Sequence, residues 1–146
     1  MGLFQSFNIN ASGMTAERFR TDIISENIAN VNSTSTEEGG PYRRKIVTFA
    51  EKPVTPFGQY YSASKNKAVG NGVKVSSVTR DYSTDFTEEY DPSNPDADEN
   101  GYVYYPNVNT VTEMTNLIDA TRAYEANATA FNASKSMAEA GLQIGK

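Results

Sequence analysis

The stretch Asn107–Met137, NVNTVTEMTNLIDATRAYEANATAFNASKSM, predicts one long helix that decides the fold. Its apolar side chains recur at alternating three- and four-residue spacings, which place a stripe along one side of a helix that packs against another helix. A helix from Thr110 to about residue 140 would be about 45 Å long at 1.5 Å per residue. The stripe consists of Leu117, Tyr124, Phe131 and Ala138, interleaved with Met114, Ala128 and Leu142.

The start of this helix carries two local signals. Thr110 and Glu113 have the spacing of a capping box, in which the hydroxyl and the carboxylate accept hydrogen bonds from the first free N–H groups. Pro106 prevents an earlier helix from continuing into this one. The sequence therefore predicts a helix that begins near Thr110 and is capped by its own side chains.

A second amphipathic stretch lies near the N-terminus. Its apolar residues recur at mostly helical spacings and predict a helix over residues 3–30. Since both helices carry an apolar stripe, we expect them to pair, with the chain ends side by side. The predicted packing residues are Phe19, Ile23 and Ile28 of the first helix against Leu117, Tyr124 and Phe131, with Met114, of the second.

The sequence between the helices is typical of strands and loops. Residues 42–49 and 72–81 are rich in β-formers and predict two strands that pair, while residues 52–71 predict an irregular excursion with a candidate strand at 59–61. Residues 85–99 carry seven acidic residues, no basic residue and several turn signals, which predict a loop.

These elements define the predicted class and organisation. The class is mainly α, with paired long N- and C-terminal helices that resemble a coiled coil, and with a small β-hairpin and an extended irregular insert between them. The predicted organisation is an N-terminal helix over 1–34, an insert over 35–106 and a C-terminal helix over 107–146.

The composition excludes several kinds of chemistry. The 146 residues include no cysteine and no histidine, which excludes thiol catalysis, zinc sites of the usual kind and Ser-His hydrolases. The net charge of −5 and the scattered basic residues argue against nucleic-acid binding. No apolar run approaches the length of a membrane span, and the first residues lack the pattern of a secretory signal. We predict no enzyme, no catalytic, metal or cofactor site, and no small-molecule substrate.

One segment leaves an alternative open. Residues 96–101, DADENG, match the first six positions of an EF-hand calcium loop. The twelfth position, where a bidentate glutamate belongs, is Asn107. A calcium-binding module therefore remains the alternative from a different functional class.

The polar residues of both helices favour an assembly. Surface helices of a soluble monomer are usually rich in Glu and Lys, whereas these helices are rich in Asn, Ser, Thr and Ala. Short amides and hydroxyls suit close packing with hydrogen bonds between helices. Our hypothesis is that more than one face of each helix is buried in an assembly.

Several motifs resemble one protein family. Residues 25–34, SENIANVNST, resemble the signature near the N-terminus of bacterial flagellar axial proteins. Residues 40–45, 90–98, 101–103, 105–114 and 123–127 are similar to the short, proximal type of the flagellar basal-body rod proteins. The motif positions that we expect to fix turns and helix ends are Asn27, Asn30, Asn107 and Asn109.

The resemblance implies a structural role. It implies a subunit of the proximal rod that assembles helically into a drive shaft transmitting torque, with the terminal helices forming an inner tube and ordering on assembly. The implied partners are copies of itself, other rod proteins, the base of the membrane ring and the flagellar type III export apparatus. Export without a cleaved signal peptide would bring it to the rod that spans the periplasm. A hook or distal-rod protein is the alternative within the same family.

Overall fold

The computed structural model describes residues 3–53 and 70–144. The candidate strand at 59–61 lies outside the described residues. Both predicted helices and both predicted strands are confirmed, with boundaries shifted by a few residues. In chain order, the elements are helix α1 (Leu3–Ala29), strands β1 (Lys45–Glu51), β2 (Val73–Arg80), β3 (Thr87–Tyr90) and β4 (Tyr102–Tyr105), and helix α2 (Thr110–Ile144).

The predicted mainly α class with coiled-coil-like paired terminal helices is wrong. The described residues form two helices and two antiparallel two-stranded sheets, β1–β2 and β3–β4, so helices and sheets both build the fold. The Asp81 N–H donates to the Arg44 carbonyl and the Lys52 N–H to the Gly72 carbonyl, which fixes the direction of the first sheet. The error arose because the second sheet lies partly inside the acidic segment that predicted a loop.

The second sheet is a short antiparallel hairpin. Thr87 lies opposite Tyr105, and Tyr90 lies opposite Tyr102. The ring centroids of Tyr90 and Tyr102 are 5.4 Å apart in an edge-to-face arrangement. Cross-strand aromatic pairs of this kind stabilise antiparallel sheets. Val103 is fully buried on the opposite face of β4. The alternation of exposed tyrosine with buried valine is therefore the period-two pattern of a strand.

The described residues fall into two compact units, whose boundaries lie inside α1, β1, β2 and α2. The first unit comprises Met1–Phe19, Thr48–Ser77 and Ala120–Lys146. The second unit comprises Arg20–Val47 and Val78–Asp119.

The first unit is held by aromatic and small residues. The Phe7 and Phe131 ring centroids lie 5.0 Å apart, and Ala16 is buried. A Cβ added to the buried helical residue Gly13 would lie 2.6 Å from Oδ1 of Asn127, so only glycine allows this approach. The first unit therefore needs small residues where its two helical segments approach each other closely.

A glycine also shapes the start of β2 in the first unit. Gly72 has a φ of +94°, and a Cβ there would lie 2.2 Å from the Ser12 hydroxyl oxygen. That hydroxyl donates to the Ile9 carbonyl at 2.7 Å and accepts the Val73 N–H at 3.1 Å. The strand backbone therefore enters the sheet by bonding to a side chain of α1.

Candidate assembly site

A polar cluster organises the second unit, and we define it as Asn27, Arg44, Asn107 and Glu113. Asn27 is buried near the end of α1. Its Oδ1 accepts the Lys45 N–H and the Tyr42 hydroxyl, both at 2.9 Å. Its Nδ2 donates to the Lys45 carbonyl at 2.9 Å and to Oε2 of Glu113 at 3.0 Å. The carboxamide thus gives Lys45 the two hydrogen bonds that a neighbouring strand residue would supply.

Asn107 performs a similar function at the end of the β1–β2 ladder. Its Oδ1 accepts the Arg44 N–H at 2.9 Å, while its Nδ2 donates to the carbonyls of Asp81 and Thr84, each at 3.0 Å. In an ordinary antiparallel ladder the Arg44 N–H would donate directly to the backbone carbonyl of Asp81. The buried carboxamide takes that place and connects the strands to the chain that leads into α2.

Glu113 provides the negative charge of the polar cluster and is only 1% exposed. Its Oε1 accepts Nε of Arg44 at 3.0 Å and Nη2 at 2.7 Å, a paired contact from one guanidinium. Asn116 donates to the same oxygen at 3.3 Å. A buried carboxylate is tolerated only when its charge and its lone pairs are satisfied, and these contacts satisfy both.

The predicted capping box is therefore wrong, and its position is taken by Asn109. Oδ1 of Asn109 accepts the Thr112 N–H at 3.1 Å, and its carbonyl accepts the Glu113 N–H at 2.9 Å. Thr110 is the first helical residue rather than the cap. The Glu113 side chain turns away from the helix end because Arg44 and Asn27 bind it.

Asn30 closes the other end of this region. Its Nδ2 donates to the Glu26 carbonyl at 2.9 Å, and its Oδ1 accepts the Ser33 hydroxyl at 3.0 Å. The Asn30 N–H also donates to the Glu26 carbonyl, so the first bond adds to the backbone bond at the end of α1, and the second fixes the turn that follows. All four motif asparagines thus have defined contacts at helix ends or strand ends.

Two titratable groups beside the polar cluster are shifted. Hydrogen bonds from the Ser83 hydroxyl and N–H, with further bonds from Thr84, lower the pKa of Asp81 to about 2. Burial raises the pKa of the Tyr42 hydroxyl to about 12, and the nearby charge of Glu26 adds to this. Asp81 is therefore ionised and Tyr42 neutral at neutral pH, which matches their roles as acceptor and donor.

The basic residues beside the polar cluster also have contacts within the second unit. The Arg43 guanidinium lies 4.7 Å from the ring centroid of Tyr82 and 4.1 Å from that of Phe86. It also donates to the Asp81 carbonyl at 2.9 Å. The Lys45 ammonium pairs with the Glu26 carboxylate. These cations stabilise the unit, so they do not form an open basic face.

The residues of the predicted helix stripe are placed unevenly. Phe131 contacts Phe7 in the first unit, whereas Phe19, Met114 and Tyr124 are exposed. The innermost positions of α2 are instead Glu113, Ala120 and Ser134. Ile23, Ile28 and Leu117 are half-buried.

The first turns of α2 expose an apolar face, which we define as Val111, Met114 and Ile118. These side chains are 75%, 54% and 53% exposed, respectively. At 100° per residue Val111 and Ile118 lie about 160° and 140° around the helix from Glu113, and Met114 lies about 100° from it. The polar cluster therefore holds one side of this helix segment inward while large apolar side chains point outward.

Comparison with known proteins identifies the family. Residues 7–35 match the family described as flagella basal body rod protein, and residues 99–144 match the flagellar basal body rod FlgEFG protein C-terminal family. The chain is 46% identical to the flagellar basal-body rod protein FlgC of Borreliella burgdorferi, over 99% of this chain and 98% of that protein. The FlgC proteins of Bacillus subtilis and Salmonella typhimurium are 45% and 38% identical, each over 100% of both chains.

The chain belongs to the FlgC family of flagellar basal-body rod proteins. The resemblance found in the sequence motifs is thereby confirmed, and the chain is a structural subunit of the flagellar basal-body rod. The family is a structural one, which implies a role without catalysis. Within the polar cluster, Asn27 lies in the first matched segment, Asn107 and Glu113 lie in the second, and Arg44 lies between them.

The calcium-binding alternative receives no support from the FlgC family. The carboxylates of the acidic segment have other contacts: Asp98 Oδ1 accepts the N–H groups of Asn100 and Tyr102, and Asp96 accepts the Thr34 hydroxyl at 2.6 Å. Within residues 3–53 and 70–144 there is no group of three acidic side chains arranged to hold a metal ion. Over the same residues, neither helix is long and apolar enough to cross a membrane.

Proposed function

We propose that this chain assembles helically, with copies of itself and with other rod proteins, into the shaft that crosses the periplasm and transmits torque. The observation that carries the proposal is the similarity to flagellar basal-body rod proteins over the whole chain. A helical assembly requires heterologous contacts, so each subunit must present at least two different surfaces to its neighbours.

The apolar face supports this proposal. Large exposed apolar groups on consecutive turns of a helix are a typical sign of a protein–protein contact. Val111, Met114 and Ile118 are held outward by a buried polar cluster on the other side of the same helix. Their exposure is therefore built into the fold, and a neighbouring subunit of the rod is the occupant that the family suggests.

The remaining partners follow from the same proposal. The chain reaches the rod through the flagellar type III export apparatus without cleavage of a signal peptide, and contacts the base of the membrane ring. The predicted packing residues of the two helices, with the four motif asparagines, act in assembly either directly or by fixing the ends of the elements. The terminal segments order fully only in the rod, since a segment that gains most of its contacts from neighbours folds on binding.

The test is incorporation into basal bodies. Ile118→Glu and Met114→Glu place a charge on the apolar face, while Thr112→Glu places the same charge on an exposed neighbouring position of the same turns. In cells that lack their own FlgC protein, we expect the Thr112 variant to restore motility and to be present in isolated basal bodies. We expect the two apolar-face variants to be folded, exported and absent from them.

Two results would count against the proposal. If unmodified chain that is exported were absent from purified basal bodies, the assignment as a rod subunit would be wrong. If both apolar-face variants were incorporated as well as the Thr112 variant, this face would not contact a neighbour. Circular dichroism of the purified variants separates loss of assembly from loss of folding.

A further inference from the structure

The two edges of the β1–β2 sheet differ. At the start of β1, Arg44 faces β2, so the N–H and carbonyl of Lys45 point to the outer edge. Both groups are satisfied by the carboxamide of Asn27 at 2.9 Å. The outer edge of β1 is therefore closed at this point by a side chain of α1, which prevents another strand from adding there.

The outer edge of β2 has no such protection. Among the described residues no strand pairs with this edge, and residues 76–80 are exposed on both faces. Natural edge strands are usually protected by proline, bulges or inward-pointing charges. The sequence SSVT over residues 76–79 contains no proline and no charged residue, and Val78 adds an exposed apolar side chain. This edge is suited to the addition of a strand.

Strand β3 is complementary to that edge. Its four residues are all exposed, and within residues 70–144 its edge away from β4 is also unpaired. The charged residues of β3 are Glu88 and Glu89, and those of β2 are Lys74 and Arg80. Opposite charges directly across adjacent strands stabilise their pairing, so a glutamate of β3 that lies across from Arg80 favours this contact.

We propose that β2 of one copy pairs edge to edge with β3 of the next copy in the rod. The inference rests on the proposed function, since it assigns surfaces to the contact between subunits. Main-chain hydrogen bonds between added strands supply affinity, and the charges supply selectivity. The two surfaces are different, so each copy can bind one neighbour through β2 and another through β3, which gives an open helical series.

The present contact of Arg80 does not prevent this pairing. Arg80 forms a forked salt bridge with Glu38 at 2.6 and 2.8 Å. Both side chains are largely exposed, and exposed ion pairs contribute little free energy. Arg80 can therefore release Glu38 and pair with a glutamate of the neighbouring copy at little cost in free energy.

The chain has no cysteine, which makes disulfide trapping specific. Two double variants combine Thr87→Cys on β3 with either Thr79→Cys or Val78→Cys on β2, so that both faces of β2 are sampled. Each is expressed in cells lacking their own FlgC protein, and isolated basal bodies are oxidised and separated without reducing agent. We expect one of the double variants to give a ladder of two, three and more linked copies, because a head-to-tail contact links every subunit to the next.

The controls separate this inference from the proposed function. The single cysteine variants are expected to enter basal bodies and to remain unlinked, and Thr87→Cys combined with Lys135→Cys, also exposed, is expected to give no ladder. If both double variants enter basal bodies without forming a ladder, the β2–β3 contact is wrong while the rod assignment stands. Dimers formed by a single variant would also overturn it, since they indicate a symmetric contact. If even the single variants are exported but absent from basal bodies, the proposed function itself fails.

Discussion

Replacing Glu113 by alanine tests whether the polar cluster holds the start of α2. The change removes the carboxylate that accepts two hydrogen bonds from Arg44, one from Asn27 and one from Asn116. Breaking a buried ion pair costs about 3–5 kcal/mol when the remaining charge stays buried. Arg44 is 24% exposed and its Nη1 remains 3.6 Å from Oδ2 of Asp81, so water and this carboxylate partly compensate its charge, and the expected loss is near the lower limit, about 3 kcal/mol.

The assay is urea unfolding of the full chain, followed by circular dichroism, with a double-mutant cycle. Arg44→Met alone leaves Glu113 charged at 1% exposure, so its loss should exceed that of Glu113→Ala, at about 4 kcal/mol. Glu113→Ala combined with Arg44→Met removes both charges and should lose less than the sum of the two single changes. The exposed pair Lys135–Glu139, at 3.8 Å, is the control, and its disruption should cost less than about 0.5 kcal/mol.

Two results would refute the reasoning. A loss below about 1 kcal/mol for Glu113→Ala would mean that the carboxylate is not a buried and paired group. Additive effects within about 0.5 kcal/mol in the cycle would mean that Arg44 and Glu113 do not interact energetically. In either case the outward position of the apolar face would need another explanation.

Three further changes test neighbouring features. Asn109→Ala removes the helix cap and should lower the free energy of unfolding by about 1 kcal/mol, while Asn109→Asp, which keeps an acceptor, should lose much less in the same urea titration. Gly13→Ala places a methyl group against Asn127 and should lower the free energy of unfolding by about 1–3 kcal/mol. The melting temperature should fall as well, and adding Asn127→Ala in the same chain should recover part of that fall. Asp81 has its pKa lowered from 3.8 to about 2, so its stabilising contribution is present above about pH 4 and disappears as the pH falls to about 2. Asp81→Asn lacks this contribution, and the difference in unfolding midpoint between it and the unmodified chain should therefore shrink over that pH range.

The sequence predicted the helices well because their signals are local. Apolar spacing and the flanking turn residues placed α1 within a residue of its observed ends, and α2 begins at the predicted Thr110. The first strand was predicted to begin at residue 42, but β1 begins at Lys45. The Arg44 N–H bonds to the side chain of Asn107, 63 residues away, instead of to β2. No local pattern contains that information.

The hairpin β3–β4 was missed for a related reason. The four residues Thr87–Tyr90 include two glutamates, and the surrounding acidic residues and prolines are typical of a loop. The strand forms because β4 supplies its partner, with Val103 buried and Tyr102 packed on Tyr90. Tertiary pairing therefore overrides the local preference, as it often does for short strands.

For α2, the residues that are buried were harder to predict than the seven-residue spacing at which they recur. Glu113, Ala120 and Ser134 are buried at multiples of seven residues, which is the period that the apolar residues also follow. Met114 and Tyr124 of the predicted stripe are nevertheless exposed in the single chain. Their role in packing between subunits stays a prediction, and the incorporation experiment tests it for Met114.

The geometry explains why asparagine occurs at the motif positions. Asn27 and Asn107 each accept from one backbone N–H and donate to a backbone carbonyl, so each carboxamide replaces a strand residue. An ionised aspartate could only accept, and a serine is too short to supply two separate atoms for this purpose. The motif therefore acts on the fold: it joins α1, the first sheet and the start of α2 within the second unit. Since the apolar face lies on that same start of α2, substitutions at Asn27 or Asn107 should impair assembly by moving the face, although neither residue need touch a neighbouring subunit.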